Sequence, residues 1–259
     1  MLICKWEKLP SFMQTDEVRP YWEKLRKRNW NLFWKRVFDI FLSFLMLIIL
    51  CPLFIILAIA IKIDSRGPVF YRQVRYTQYG KQFKIHKFRS MVVNADKQGA
   101  LLTSKDDSRV TKVGKFIRKC KFDELGQIID VFTGKMSFVG TRPEVEKYVN
   151  VYTPKMVATL LLPAGVTSVA SFLFKDENDL LNASDDKDKV YIEQILPAKM
   201  YYNLKELPKE GMFHDIKVIF MTVFAILGKK YEGDYKPGSL EWFLLLCLFI
   251  MKRSIFKSA

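Results

Sequence analysis

Ile40-Phe-Leu-Ser-Phe-Leu-Met-Leu-Ile-Ile-Leu-Cys-Pro-Leu-Phe-Ile-Ile-Leu-Ala-Ile-Ala-Ile61 is a run of 22 residues without a formal charge, closed off by Asp39 and Lys62. As a straight helix it would extend roughly 33 Å, enough to cross the hydrocarbon of a bilayer. It is too long, and too far from residue 1, for a cleaved signal peptide. Pro52 falls in its middle, where the missing N–H and the ring's clash with the preceding turn favour a kink. Arg26, Lys27, Arg28, Lys35 and Arg36 precede the run, and Lys62, Arg66, Arg72 and Arg75 follow it. A spanning helix concentrates Lys and Arg on its cytoplasmic side, whereas here both flanks have that character. The preferred expectation is a bent re-entrant helix that enters and leaves through one leaflet, with Pro52 at the bend. A kinked spanning helix is the alternative, because proline is tolerated inside membrane helices.

Around this run the chain is basic, with a formal charge of +15 over 259 residues. That charge allows nucleic acid, an acidic leaflet or phosphorylated small substrates as partners and does not choose among them. An apolar content of 50% suffices for one domain and a small appendage. Cys4, Cys51, Cys120 and Cys247 are far apart with no CxxC pair, which indicates neither a zinc site nor a disulfide framework and fits a reducing, cytosol-facing location. His86 and His214 have no partner at ligand spacing and read as structural.

The organisation expected is an amphipathic N-terminal extension over 1–36, the membrane helix over 37–62, a soluble domain over 63–228 and a tail over 229–259. Trp6, Trp22, Trp30 and Trp34 fall in the extension among alternating charges, a mixture suited to a surface helix at the headgroup level or to one packed on the domain. Residues 242–251 are apolar but too few to span. The polar stretches 182–189 and 229–238 read as loose.

The soluble part begins with a hairpin, strands over 69–75 and 82–91 about a turn at Tyr79-Gly80. In an extended second strand Lys87 and Arg89 share a face and could clasp one phosphate; the plainer reading is two solvated cations. From Val113 the pattern turns helical, and Leu125, Ile128, Ile129 and Phe132 follow helical spacing. Asp123 then falls at or near a helix N-cap, either beside bound phosphate at the positive end of the dipole or as an ordinary cap.

Ordered blocks from Lys35 to Leu227 carry a family resemblance. They are Lys35-Arg36-x-x-Asp39 before the apolar run with its central proline, Gly67-Pro68-Val69-Phe70 with Gln73, and Phe83-x-x-x-Lys87-Phe88-Arg89-x-Met91. Asp107-x-Arg109-Val110-Thr111-Lys112-x-Gly114, Ile117-Arg118 and Asp123-Glu124-Leu125-x-Gln127 follow, then Gly134-x-Met136-Ser137, Val139-Gly140 and Arg142-Pro143-Glu144. With these the chain resembles the bacterial sugar transferases, the small monotopic phosphoglycosyl transferases. The resemblance implies an α/β class, mostly helical with a short β-hairpin, on a membrane-associated domain with a re-entrant helix. It implies transfer of a sugar 1-phosphate from a UDP-sugar to polyprenyl phosphate with release of UMP, initiating bacterial surface glycan synthesis at the cytoplasmic face of the inner membrane. Asp123 matches the family's nucleophile, which forms a covalent intermediate. Glu124 would help hold Mg²⁺, with Asp123 as the second carboxylate at the metal, or assist proton movement. Lys87, Arg118 and Arg142 correspond to substrate-binding cations, and Arg89 stands where the family has Arg or Lys. The implied partners are the UDP-sugar, polyprenyl phosphate and membrane lipids, without nucleic acid; a homo-oligomer is left open.

The chemistry agrees with these residue types, because a carboxylate attacking a diphosphate meets negative charge and needs a divalent cation and fixed positive groups around it. Two positions depart from the pattern: Gly126 replaces a common proline and is expected to loosen the backbone beside Asp123, and Thr141 replaces another. Leu162-Pro163-Ala164-Gly165-Val166-Thr167-Ser168 resembles a family loop expected to shape the sugar pocket. With one long apolar segment the chain resembles the small form of the family. Two further readings remain at this point, an inactive membrane scaffold motivated by Gly126 and Thr141, and a basic membrane-surface or nucleic-acid binding protein.

Overall fold

The computed structural model describes residues 2–95, 107–174, 177, 181, 186–229, 231 and 233. Two 3-10 turns, Trp6–Lys8 and Ser11–Met13, lead into helix α1 (Arg19–Lys27), where Pro20 occupies the first turn and sacrifices no helical hydrogen bond. Helix α2 (Asn29–Asp64) follows and runs through Pro52 without ending there. It exceeds the expected 37–62 at both ends because the body of the protein holds both. At its start Leu32, Lys35, Asp39 and Ser43, spaced three and four apart, are fully buried. Near its end Leu57 and Ile61 pack on Phe88 and Ile117. Between and around these positions Phe41, Phe44, Ile48, Ile49, Ile55, Ile56 and Ile59 are exposed.

Polar contacts fix the same two ends. Arg36 donates to the carbonyls of Val131 and Phe132 at 2.7 and 3.0 Å. At the far end Asp64 accepts from the Val113 N–H at 2.9 Å, and Arg89 donates to the carbonyls of Ser65 and Arg66 at 2.7 Å each. Asp39 accepts from the Phe138 N–H at 3.2 Å and lies within the field of the Lys35 charge. Lys35 itself bonds to Asp215, to Glu210 at 3.3 Å and to the Val139 carbonyl at 2.8 Å, all out of water.

The N-terminal extension is a part of the core rather than a free surface helix. Ile3, Leu9, Met13, Val18 and Leu25 join Leu160, Leu161, Leu162, Leu204 and Leu207 in one cluster. Trp6 and Trp22 meet edge to face at 5.4 Å, and the Trp22 ring N–H donates to the Cys4 carbonyl at 3.0 Å. The apolar positions follow no single period because two turns and a helix carry them. Trp30 and Trp34 do remain exposed, packed with Phe33 at the start of α2.

The hairpin forms as expected, with β1 (Phe70–Tyr76) antiparallel to β2 (Gln82–Phe88), in register from Phe70 opposite Phe88 to Tyr76 opposite Gln82. Its turn places Tyr79 and Gly80 at positive φ. Arg89 and Met91 lie beyond β2. Helix α3 (Lys112–Lys119) is capped by the Thr111 hydroxyl, which accepts from the Gly114 N–H. A 3-10 turn (Phe122–Gly126) and helix α4 (Gln127–Phe132) follow.

A second sheet was not anticipated. Strand β3 (Met136–Val139), helix α5 (Glu146–Val149) and strand β4 (Ala164–Thr167) follow, with β3 and β4 parallel. Four consecutive buried residues in β3 leave no alternation to read. Helix α6 (Val169–Leu173) comes next, then helix α7 (Lys187–Val190), a π turn (Tyr191–Ile195), helix α8 (Leu196–Glu206) and helix α9 (Met212–Ile226). Part of the stretch read as loose, 186–189, is ordered because Asp186 caps α7 through the Lys189 N–H. The rest of that stretch, 182–185, and the apolar 242–251 lie outside the described residues, as does most of the tail.

Candidate active site

Lys121 adopts a left-handed conformation, φ 57°, which ends the approach from α3 and starts a new turn. Asp123 is therefore the second residue of the 3-10 turn leading into α4 and not its N-cap. The turn packs against β2, and the two adjacent acids reach different surroundings. Glu124 is clamped: Arg142 donates to both of its oxygens, and Lys87 reaches Oε1 at 3.4 Å. Among the described residues Asp123 has no ion-pair partner.

These environments drive the two carboxyls apart. Burial raises the Asp123 carboxyl from its ordinary value, the Glu124 charge adding to the effect while Lys87 and Arg118 oppose it. Burial alone would raise Glu124 too, but Arg142 and then Lys87 outweigh it and hold the group well below its usual value. Neighbouring titratable groups with opposed environments are characteristic of sites with divided roles.

Asp123 faces a cavity of about 480 Å³, within the usual size range for a small-molecule site. Pro68, residues of β1 and β2, the run Arg89 to Ala95, Arg109 and Arg118 form the rest of its described lining. Arg72, Arg75, Lys87, Arg89, Arg109 and Arg118 contribute positive charge, and Asp123 is the one acid among the described lining residues. The site residues expected from the sequence are thus brought together, with differences in posture. Lys87 and Arg89 share the cavity but do not form a common clasp, since Lys87 turns to Glu124 while Arg89 is committed to Ser65 and Arg66. Arg142 and Glu124 stand beside the cavity as a pair and do not line it. The Arg118 side chain lines it without a hydrogen bond to another described residue.

Residues 30–229 match the profile of the bacterial sugar transferases. The chain belongs to that family. It is 37% identical over 198 residues to the UDP-glucose:undecaprenyl-phosphate glucose-1-phosphate transferase of Klebsiella pneumoniae, an alignment covering 75% of this chain and 40% of that protein. It is 32% identical over 198 residues to the UDP-N-acetylgalactosamine-undecaprenyl-phosphate N-acetylgalactosaminephosphotransferase of Aeromonas hydrophila, covering 75% of this chain and 44% of that one. With the uncharacterized sugar transferase EpsL of Bacillus subtilis (strain 168) it shares 32% identity over 193 residues, 74% of this chain and 87% of EpsL. The chain thus spans less than half the length of the Klebsiella and Aeromonas relatives.

For a bacterial sugar transferase the two departures from the expected pattern are accommodated locally. Gly126 is not a loose hinge: it is buried at φ −58°, and a β-carbon there would lie 2.8 Å from the His86 carbonyl oxygen. Thr141 sits in a loop held by pairing with β4, the Gly165 N–H donating to its carbonyl at 2.9 Å and the Gly140 N–H to Thr167 at 3.0 Å. Residues 162–168 therefore back the Arg142 loop, and none of them lines the large cavity.

Sequence reasoning missed Arg72 and Arg75 of β1. The available signal for Arg75 was the period-two face of that strand, on which Tyr71, Gln73 and Arg75 are half-buried; Arg72 lies on the opposite, exposed face and had no such signal. Arg75 donates to the Pro143 carbonyl at 3.1 Å and to Gln73 at 2.7 Å, joining the hairpin to the Arg142 loop.

Proposed function

We propose that the chain transfers a sugar 1-phosphate from a UDP-sugar to polyprenyl phosphate through a covalent intermediate on Asp123. The observation that carries this reading is one partly desolvated carboxylate, without an ion-pair partner among the described residues, in a cavity whose other described charged lining residues are six cations. Such a cavity favours a polyanion and leaves Asp123 free to attack it. The relatives' names supply the substrate classes, UDP-glucose or UDP-N-acetylgalactosamine as donor and undecaprenyl phosphate as acceptor.

In the first displacement a carboxylate oxygen of Asp123 bonds to the sugar-bearing phosphorus, and the bond from that phosphorus to the bridging oxygen breaks. UMP leaves with the electron pair. In the second, a phosphate oxygen of the polyprenyl phosphate attacks the same phosphorus, breaking its bond to Asp123 and restoring the carboxylate. Lys87, Arg118, Arg72 and Arg75 surround the phosphates, and Arg142 is oriented by Glu124. Two displacements let a soluble donor and a lipid acceptor use one site in turn.

Mg²⁺ fits this donor set as a partner of the diphosphate. Among the described residues neither Asp123 oxygen has a cationic partner, and Glu124 Oε2 carries one long contact, at 3.3 Å from Arg142. Magnesium is commonly held by one or two carboxylates together with phosphate oxygens and water, and here it would neutralise charge on the diphosphate.

The membrane arrangement belongs to the same reading. Both ends of α2 are bonded to one folded body, which supports a helix that enters and leaves a leaflet on one side with its exposed apolar faces in lipid. The body then lies at the cytoplasmic headgroup level, where the acceptor's phosphate must remain because burying it in hydrocarbon is costly. The accommodation of Gly126 and Thr141 removes the motive for the scaffold reading.

The test is nucleotide release. Detergent-solubilised protein with a panel of UDP-sugars, Mg²⁺ and undecaprenyl phosphate should release UMP with at least one donor, and Asp123→Asn should abolish release. UMP release unchanged in Asp123→Asn would overturn the assignment.

A further inference from the structure

The reading above gives no role to Asp130 or His86, although both are held more tightly than a surface strand requires. Asp130, on α4, is fully buried, and both of its oxygens are spent on residue 86. Oδ2 accepts from the His86 backbone N–H at 2.8 Å, and Oδ1 lies 2.8 Å from the ring Nδ1. On the other side of the ring Nε2 is 2.6 Å from Nη1 of Arg72, the residue directly across the hairpin. Arg72 Nη2 also donates to the Lys84 carbonyl at 2.9 Å. The Phe70 ring meets the imidazole nearly at right angles, with centroids 5.5 Å apart.

This arrangement fixes the tautomer. A guanidinium has no acceptor, so Nε2 must accept from Arg72, and the ring proton must then sit on Nδ1 and be donated to Asp130. Arg72 lines the cavity beside Asp123, but as an exposed arginine it would otherwise have freedom to leave it. We propose that Asp130 and His86 are positioning residues that hold the Arg72 guanidinium in the cavity wall to bind the diphosphate of the nucleotide. The proposal rests on the cavity being the donor site.

Asp130→Asn separates this role from a merely structural one. The asparagine carbonyl can still accept from the His86 backbone N–H, and its amide N–H can donate to Nδ1, so both contacts between α4 and β2 survive. The ring proton must then move to Nε2, where it confronts the N–H groups of Arg72 and removes their acceptor.

The experiment uses the full chain in detergent with UDP as the probe. Isothermal titration follows UDP affinity in the wild type, Asp130→Asn, Arg72→Met and the double variant, with thermal unfolding alongside. Nitrogen-15 histidine spectra, assigned with His86→Gln, report the tautomer independently of activity. Expected are an Nδ1–H tautomer in the wild type and Nε2–H in Asp130→Asn, with a thermal midpoint changed by no more than about 3 °C. Each single variant should weaken UDP binding about tenfold, the order of one charge-assisted hydrogen bond, and the double variant no further. An Nε2–H tautomer in the wild type, no binding of UDP by the wild type, or unaltered affinity in Asp130→Asn would each overturn the proposal. Failure to release UMP would overturn the transfer reaction instead, while the UDP titration would still decide the role of Arg72.

Discussion

A β-carbon at Gly126 would stand 2.8 Å from the carbonyl oxygen of His86 and 3.1 Å from its carbonyl carbon. The turn that bears Asp123 and Glu124 is therefore pressed directly against the backbone of β2, one residue before Lys87. At φ −58° the backbone of residue 126 would itself suit alanine or proline, so the close approach is what demands glycine.

Gly126→Ala should consequently destabilise the protein by about 1–3 kcal/mol, the usual range for overpacking, even though alanine gains about 1 kcal/mol in helix propensity. Activity should fall further than stability, because relief of the contact moves β2 and with it Lys87. Equilibrium urea unfolding checks the first statement; unchanged or increased stability would contradict it.

The opposed carboxyl environments give a pH signature. Asp123 titrates higher when folded than unfolded, so between those two values the folded state binds more protons and this group's contribution to stability falls as pH rises. Asp123→Asn should therefore raise the thermal midpoint at pH 7, with the gain vanishing in acid below both values. Glu124 is depressed, so its contribution is present at neutral pH and is lost as pH falls through its folded value. Glu124→Gln should lower the midpoint at pH 7. Thermal scans between pH 3 and 8 would show the two variants moving in opposite directions.

The sequence disclosed which charged residues gather in one place better than the framework that gathers them. Asp123, Lys87, Arg118 and Arg142 could be named because ordered motifs carry them, and the hairpin because a turn at Tyr79-Gly80 separates two strand-like runs. The β3–β4 pair was hidden because both strands are four residues long and neither alternates, β3 being buried throughout and β4 buried only in its first half. The commitment of Arg89 to Ser65 and Arg66 was hidden because a contact across 23 residues has no local signature. The burial of the N-terminal extension depends on partners such as Leu161 and Leu204 far along the chain.

Lys35 is the least replaceable of the buried ions, because Asp215, Glu210 and Asp39 all depend on its charge. Lys35→Met should cost about 3–5 kcal/mol, the typical effect of stranding a buried charge, and Asp215→Asn should cost less because Lys35 keeps Glu210. Chemical denaturation of the two variants checks the order. Equal losses would show that the pair alone, and not the cluster, matters.

The path of α2 gives a topological prediction. Asn31→Cys and Lys62→Cys, each placed in a cysteine-free background, stand at exposed positions near the two ends of the helix. Both should react with an impermeant maleimide in inverted membrane vesicles and neither in spheroplasts. Labelling from opposite sides would establish a spanning helix.

The central claim is a covalent phosphosugar on Asp123, and intact-protein mass spectrometry reads it directly. Wild-type protein incubated with its UDP-sugar and Mg²⁺, without acceptor, should gain the mass of one sugar phosphate and lose it when undecaprenyl phosphate is added, while folded Asp123→Asn gains nothing. An adduct of the same mass on Asp123→Asn, or turnover to lipid-linked product by that variant, would contradict the account.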